Sequence, residues 1–195
     1  MKTWNEEWSS FRGPNFFGRM LYRAQKAAIR KALANVPKGS RVLDVGCGTG
    51  RTLGWLRGFG FDAIGIDSSE SAIEYCSKSG LEKGKDVFVK DASKTGFADK
   101  SFDFVFSDGL LEHFSDFSAI VREMCRVSRK YVVVTQPNHF SLFGRVLETF
   151  TKKSMHEYTY RVSDFAKSFE KCGFALEKTY SYNFNEQWLL VFKRP

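Results

Sequence analysis

Val42-Leu43-Asp44-Val45-Gly46-Cys47-Gly48-Thr49-Gly50 is an apolar run interrupted by one acid and ending in three glycines at alternate positions. Val42 to Val45 have the composition of a buried strand, and Thr49 onward can start a helix. Glycines between a strand and a helix let backbone N–H groups approach a ligand closely, because no side chain stands in the way. Dinucleotide and phosphate sites share such a turn, so its spacing says more than its presence. The dinucleotide pattern G-x-G-x-x-G requires glycine where Arg51 stands, and the Gly-Lys-Ser/Thr of a phosphate loop is missing.

Outward from this turn the chain alternates strand and helix. The strand at Arg41–Val45 leads into a helix near Thr49–Gly58, and the strand Phe61–Asp67 into a helix near Ser69–Ser79. Strands at Asp86–Lys90 and Phe102–Ser107 precede a helix near Phe117–Ser128, and Tyr131–Thr135 is the most β-branched run of the chain. Buried strands separated by helices predict a parallel sheet covered on both faces. Near the end, Ser163 is read as the cap of a helix Asp164–Lys171 that stops at Gly173. Phe174–Asn183 and Asn185–Lys193 then form two strands whose join is too short for a crossover helix, so they pair antiparallel. Ahead of the first strand, Asn15 is read as the cap of a helix reaching about Asn35, with Phe17, Met20, Leu21, Ala24, Ala27 and Ala28 on one side and Arg19, Arg23, Lys26 and Arg30 on another.

The series of motifs resembles the class I S-adenosylmethionine-dependent methyltransferases. Val42 to Gly50 is similar to their first motif, and Phe61-Asp62-Ala63-Ile64-Gly65-Ile66-Asp67 to their second strand. Val87-Phe88-Val89-Lys90-Asp91-Ala92 and the run Phe97 to Phe106 resemble the third and fourth strands, and Leu110-Leu111-Glu112-His113-Phe114 resembles the Leu-x-His element of the small-molecule, quinone-biosynthesis group (methyltransferase type 11). The resemblance spans about Arg41 to Gly173. It implies one Rossmann-like α/β domain over residues 1–195, with residues 1–37 as a helical extension or lid. The implied sheet has seven strands in the order 3-2-1-4-5-7-6, the last antiparallel, with helices on both faces.

The resemblance also implies the cofactor and its ligands. The turn at Gly46, Cys47, Gly48 and Gly50 presents backbone donors to the amino-acid part of S-adenosylmethionine, and Asp44 fixes the turn and the cofactor ammonium. The residues themselves point to Asp67, an acid ending an apolar strand about 23 positions beyond Asp44. That is the offset at which a carboxylate reaches ribose hydroxyls, although a helix cap is the simpler use of the same residue. Ser68 adjoins it. Asp91 and Ala92 fall beside the adenine, while Ser107, Asp108, Gly109 and Leu110, following the fourth strand, line the methyl-donor end. Methyl transfer is an in-line displacement at a sulfonium whose charge disappears, so alignment and exclusion of water matter more than a strong base. If a base is used, His113 comes first and His139 second, since each follows a strand ending on the cofactor side; His156 comes third, because the resemblance places it in a segment that covers the substrate.

Composition narrows the reading. The chain has 195 residues, 43% hydrophobic and 27% charged, as in a globular domain with a real core. No apolar run is long enough for a membrane helix, and Met1 to Glu7 do not resemble a signal peptide, so a cytoplasmic monomer or homodimer is expected. Cys47, Cys76, Cys125 and Cys172 are scattered without a C-x-x-C pair, which predicts neither a metal site nor a disulfide framework. A formal charge of +8 suits an anionic partner. The Asn/Asp-Pro-Pro-aromatic motif of amino-group methyltransferases is replaced by Ser107-Asp108-Gly109-Leu110, and no cysteine follows the fourth strand. These absences favour a small-molecule acceptor over RNA or protein. The basic first helix is the counterweight, being either a docking face for a nucleic acid or anionic lipid or a solvated surface. A non-catalytic protein that binds the cofactor is the remaining alternative.

Overall fold

The structure, a computed structural model, describes residues 5–6, 16–141 and 156–195. The described residues form thirteen elements in chain order. They are α1 (Phe16–Ala32), β1 (Arg41–Val45), α2 (Arg51–Gly58), β2 (Asp62–Asp67), α3 (Glu70–Lys78), β3 (Val87–Val89) and β4 (Phe102–Asp108), then a 3-10 turn (Leu111–His113), α4 (Ser118–Val127), β5 (Ser128–Pro137), α5 (Val162–Glu170), β6 (Ala175–Tyr182) and β7 (Gln187–Lys193). The strands make one seven-stranded sheet in the order β3-β2-β1-β4-β5-β7-β6, as the resemblance implied. β3, β2, β1, β4 and β5 run parallel, and β7 enters antiparallel between β5 and β6.

Side-chain alternation divides the core into two layers. Leu43, Val45, Val105, Val132, Val134 and Leu190 pack with Ile120 and Met124 of α4 and Phe165 and Phe169 of α5. Val42, Ala63, Phe104, Phe106, Val133 and Leu189 pack with Ile29 of α1 and Leu33 just past it, Leu53 and Leu56 of α2, and Ile73 and Cys76 of α3. Because β1 is flanked by β2 on one side and β4 on the other, chain direction across the sheet reverses beside its carboxyl end. Open α/β sheets leave a crevice at that point.

Two helices depart from the pattern read in the sequence. On α1 the buried stripe is Gln25 and Ile29, continued by Leu33 just past the helix, while Met20 is 46% exposed and Ala24 and Ala27 face outward. The stripe is rotated because the Gln25 amide is buried to bond Asp108, which an apolar count cannot anticipate. α5 starts at Val162, before the expected Ser163 cap, because the Asp164 carboxylate accepts from the Arg161 backbone N–H at 2.8 Å. Trp4, Trp8, Phe11, the Asn15 cap and the Phe17 side chain lie outside the described residues.

Candidate active site

The glycine turn joins β1 to α2 and rests on the end of β2. Backbone N–H groups of Gly46 and Cys47 both donate to the Ile66 carbonyl at 2.9 Å, and that of Gly50 to the Cys47 carbonyl at 2.9 Å. Two of the glycines are required by close approach. A Cβ on Gly46 would stand 3.0 Å from a Leu110 methyl carbon. A Cβ on Gly50 would stand 2.9 Å from Leu81 and 3.0 Å from the Cys76 sulfur, on a backbone with φ of +78°. Leu110 therefore lies directly over the turn. The Cys47 thiol is hydrogen-bonded to Cys76 and buried, which holds it protonated well above its ordinary range, so it is no nucleophile.

Two carboxylates end the strands beneath the turn. On β2, Asp67 Oδ2 accepts from the Gly48 N–H and Oδ1 from the Ser69 N–H, each at 2.9 Å. Burial nevertheless raises its pKa, against the pull of these bonds. Helix α3 is capped by Ser69, whose side chain accepts from the Ala72 N–H at 3.2 Å. Asp67 therefore braces the turn and leaves helix capping to Ser69, while Ser68 is exposed beside it. On β1, Asp44 is 0% exposed and neither of its oxygens has a partner among the described residues. Burial, then the neighbouring Asp108 charge, drives its pKa well above the carboxylate range, with Arg51 acting the other way.

Three elements converge on Asp108 at the end of β4. Its Oδ2 accepts from the Arg51 guanidinium at 2.6 Å and the Thr52 hydroxyl at 2.9 Å, both from α2. Its Oδ1 accepts from the Gln25 amide of α1 at 2.7 Å and from the Thr135 hydroxyl of β5. Arg51 in turn stacks over the Tyr22 ring of α1, 3.8 Å from its centroid. Beside this junction, Ser107 donates its hydroxyl to the Val45 carbonyl at 2.9 Å.

The segment 156–160 crosses the exits of β4 and β5. Tyr158 N–H donates to the Glu112 carbonyl at 2.7 Å, and the Tyr160 hydroxyl to the Phe114 carbonyl at 2.7 Å. His113 Nδ1 lies 2.9 Å from the His156 carbonyl. A carbonyl can only accept, so Nδ1 carries a proton. His139 Nε2 lies 3.6 Å from a Glu157 oxygen.

Residues 43–134 match the methyltransferase domain family. The chain is 40% identical over 104 residues to a demethylmenaquinone methyltransferase of Roseiflexus, covering 50% of this chain and 42% of that one. It is 36% identical over 101 residues to a tRNA (carboxymethyluridine(34)-5-O)-methyltransferase of Xenopus tropicalis, covering 50% and 15%. Magnesium protoporphyrin IX methyltransferase from Synechocystis, solved with bound S-adenosylhomocysteine, superposes with a TM-score of 0.70 at 19% identity, over 97% of this chain and 92% of that one. Together these matches support a class I S-adenosylmethionine-dependent methyltransferase. It spans less than half the length of the two curated relatives.

Against the expectations for a class I methyltransferase, Asp44, Gly46, Cys47, Gly48, Gly50, Asp67, Ser107 and Leu110 gather at the ends of β1, β2 and β4. Asp91 lies past β3, exposed, and closes an Asx turn by accepting from the Ser93 N–H at 2.7 Å; Ala92 is half-buried against the core. The three histidines are tied together by the segment 156–160. Sequence reading missed the roles of Asp108, Arg51, Thr135 and Gln25 as a junction. Arg51 drew notice only as the residue that breaks a dinucleotide pattern. Its position directly after the glycine turn was the one signal available. The buried Glu112 was likewise passed over in favour of its neighbour His113.

Proposed function

We propose that this protein transfers the methyl group of S-adenosylmethionine to an O, N or C nucleophile of a small molecule. The observation that carries this reading is Asp44, a fully buried carboxylate that lies beneath a glycine turn and has no partner among the described residues. An isolated buried carboxylate is costly, and an ammonium group brought by a ligand removes that cost. The residues present fit the cofactor. Asp44 would meet its ammonium, the turn Gly46–Gly50 would offer backbone donors, and Asp67, with Ser68 beside it, would read its sugar. Asp91 and Ala92 would border the base, while Ser107 and Leu110 would face the sulfur. When bound, S-adenosylmethionine supplies a methyl group on a positively charged sulfur.

The chain's own residues then have three tasks. Leu110, held over Gly46, excludes water from the reacting end. The Arg51–Asp108 junction fixes the ends of β4 and β5 against α1 and α2, so the acceptor meets a rigid wall. His113, whose Nδ1–H is engaged by the His156 carbonyl, offers Nε2 to take a proton from the acceptor. The test is a transfer assay with methyl-labelled S-adenosylmethionine and a small-molecule extract as acceptor pool. Label is expected in the small-molecule fraction, with His113→Ala lowering turnover tenfold or more and leaving calorimetric S-adenosylhomocysteine affinity unchanged. Absence of label there, or a failure of S-adenosylhomocysteine to bind at millimolar concentration, rejects the reading.

One observation favours a second reading. Arg19, Arg23, Lys26 and Arg30 are exposed on α1 at spacings that put them along one side of the helix. Such a stripe suits the phosphates of an RNA acceptor, and one curated relative acts on tRNA. Salt separates the two, because RNA binding through several cations weakens steeply between 50 and 200 mM salt (by ~10³ or more for six phosphate contacts), whereas turnover of a neutral metabolite does not.

A further inference from the structure

We infer that Gln136, at the carboxyl end of β5, is a recognition residue for the methyl acceptor, and that it binds a planar ring through an edge carrying a hydrogen-bond donor beside an acceptor. The inference rests on the methyltransferase reading and adds the chemistry of the acceptor to it. Gln136 is 1% exposed, yet neither its amide nitrogen nor its amide oxygen has a hydrogen-bond partner among the described residues. Both atoms give up water on folding and receive nothing in return, so a leucine or methionine would serve the fold better. The next amide along the chain behaves in the opposite way. Asn138 donates to the Asn185 carbonyl at 2.7 Å and accepts from the Phe140 N–H at 3.1 Å. The fold satisfies an amide where it uses one structurally.

Its placement is that of an acceptor-binding group. Val132, Val134 and Gln136 alternate along β5, and the two valines belong to the core on the α4–α5 face, so Gln136 extends that face to the rim. The other face carries Thr135, bonded to Asp108. The chain leaving β4 stays alongside, since the Gly109 N–H donates to the Thr135 carbonyl at 3.1 Å before Leu110 turns over the glycine loop. Gln136 thus borders the end of the crevice where the methyl-donor residues are proposed, three positions before His139.

The flanking groups define the ring. Gln136 pairs across the ladder with Trp188 of β7, and directly opposed residues share a face of the sheet. Trp188 stacks on Phe140 at 6.5 Å between centroids, and the Arg161 guanidinium caps Phe140 at 5.0 Å. A flat apolar wall therefore adjoins an amide that offers one N–H and one C=O side by side. A ring can lie along the wall while its edge pairs with the amide, as a lactam or imide edge does through two parallel hydrogen bonds.

The test uses 2-pyridone, the smallest lactam ring, titrated into the protein loaded with S-adenosylhomocysteine. The readout is the side-chain amide region of 1H–15N spectra, with the Gln136 pair assigned by its loss in Gln136→Leu. Saturable movement of that pair is expected, with N-methyl-2-pyridone, which lacks the donor, binding at least tenfold more weakly. Gln136→Leu should weaken 2-pyridone tenfold or more while retaining S-adenosylhomocysteine affinity and an equal or higher melting temperature. Gln136 signals that stay still at saturating 2-pyridone overturn the inference, and so does equal binding of the N-methyl compound. A lower melting temperature in Gln136→Leu also overturns it, since the amide would then be structural. Loss of S-adenosylhomocysteine binding in the wild-type protein, read by calorimetry, would reject the cofactor reading instead; the same 2-pyridone titration without that ligand still reads the amide.

Discussion

Asp44 and Asp67 end neighbouring parallel strands beneath the same turn, and their surroundings are opposite. Asp67 receives two backbone N–H groups, whereas Asp44 receives none. The difference sets two predictions. Asp44→Asn is expected to raise the melting temperature of the ligand-free protein, because a neutral amide is cheaper to bury than a carboxylate. The same change should weaken S-adenosylhomocysteine by about 1–3 kcal/mol, the usual cost of losing a charge-assisted contact. The pH sign follows from the direction of the shift. A carboxyl raised above its unfolded value costs nothing below that value, and its penalty grows as pH rises toward the folded pKa. The stability gain of Asp44→Asn should therefore shrink on acidification, as melting curves across pH would show. Asp67→Ala, by contrast, should lower both stability and cofactor affinity, the latter by about 1–3 kcal/mol, since it removes the brace on Gly48 as well as the proposed sugar contact. Unchanged calorimetric affinity would remove Asp67 from the site. Both aspartates were legible in the sequence, since each lies at the end of an apolar run beside a glycine turn or a following helix. Asp108 was legible only as a residue following the fourth strand; its junction was not, because its partners Gln25, Arg51 and Thr135 stand in three other elements and no spacing rule connects them.

At the scale of elements, strand and helix identities followed from periodicity, while faces and ends depended on single polar contacts. On α1 one hydrogen bond from Gln25 rotated the buried stripe, and on α5 one carboxylate moved the start. Helix α4 shows how such a contact becomes a stability term. Glu123 on its last turns accepts from the Thr95 N–H at 2.8 Å and its hydroxyl at 2.6 Å, and from Arg126 at 2.7 and 2.8 Å. Arg126 also reaches Asp99 and the Phe97 carbonyl, so the pair fastens the long connection between β3 and β4 onto α4. Burial alone would raise the Glu123 carboxyl, but Arg126 and Thr95 overcome it and hold the pKa at about 2. A carboxyl lowered on folding contributes above its unfolded value and loses that contribution as pH falls through the folded one. With an ordinary value of 4.5 and a folded value of about 2, the loss occupies the range between them. Discounting for the half-exposed Arg126, the contribution is about 1–2 kcal/mol. Glu123→Gln should be less stable than wild type by that amount at pH 7 and converge with it near pH 2, as urea midpoints measured at several pH values would reveal. Parallel curves at constant offset would show that packing, not charge, is what the substitution removes.

Across the whole molecule, the order of strands could be inferred only as a set. The last two strands had no room for a crossover between them, and the motifs of the first four fell in the expected sequence. That order places the ends of β1 and β4 together, and Asp108 uses the position to bind both α1 and α2. α1 touches the sheet mainly through β6 and β7, the elements last in sequence, so its attachment is long-range at both contacts. Loops of this length cost little extra entropy once closed, so the contacts themselves decide how firmly α1 is held. Among the described polar contacts of α1, the Gln25 bond is made to the Asp108 carboxylate itself, and the Tyr22–Arg51 stack depends on that carboxylate keeping Arg51 in place. Asp108→Ala should therefore destabilise the protein by about 2–4 kcal/mol, as expected when a largely buried charge pair loses one partner. The loss should be uneven. Amide hydrogen exchange is expected to rise first in Phe16–Ala32, with the central strands β1 and β4 keeping their protection until global unfolding. If β1 and α1 gained exchange in parallel, the helix would be part of the same cooperative unit as the sheet, and Asp108 would be a core contact with no separate hold on it.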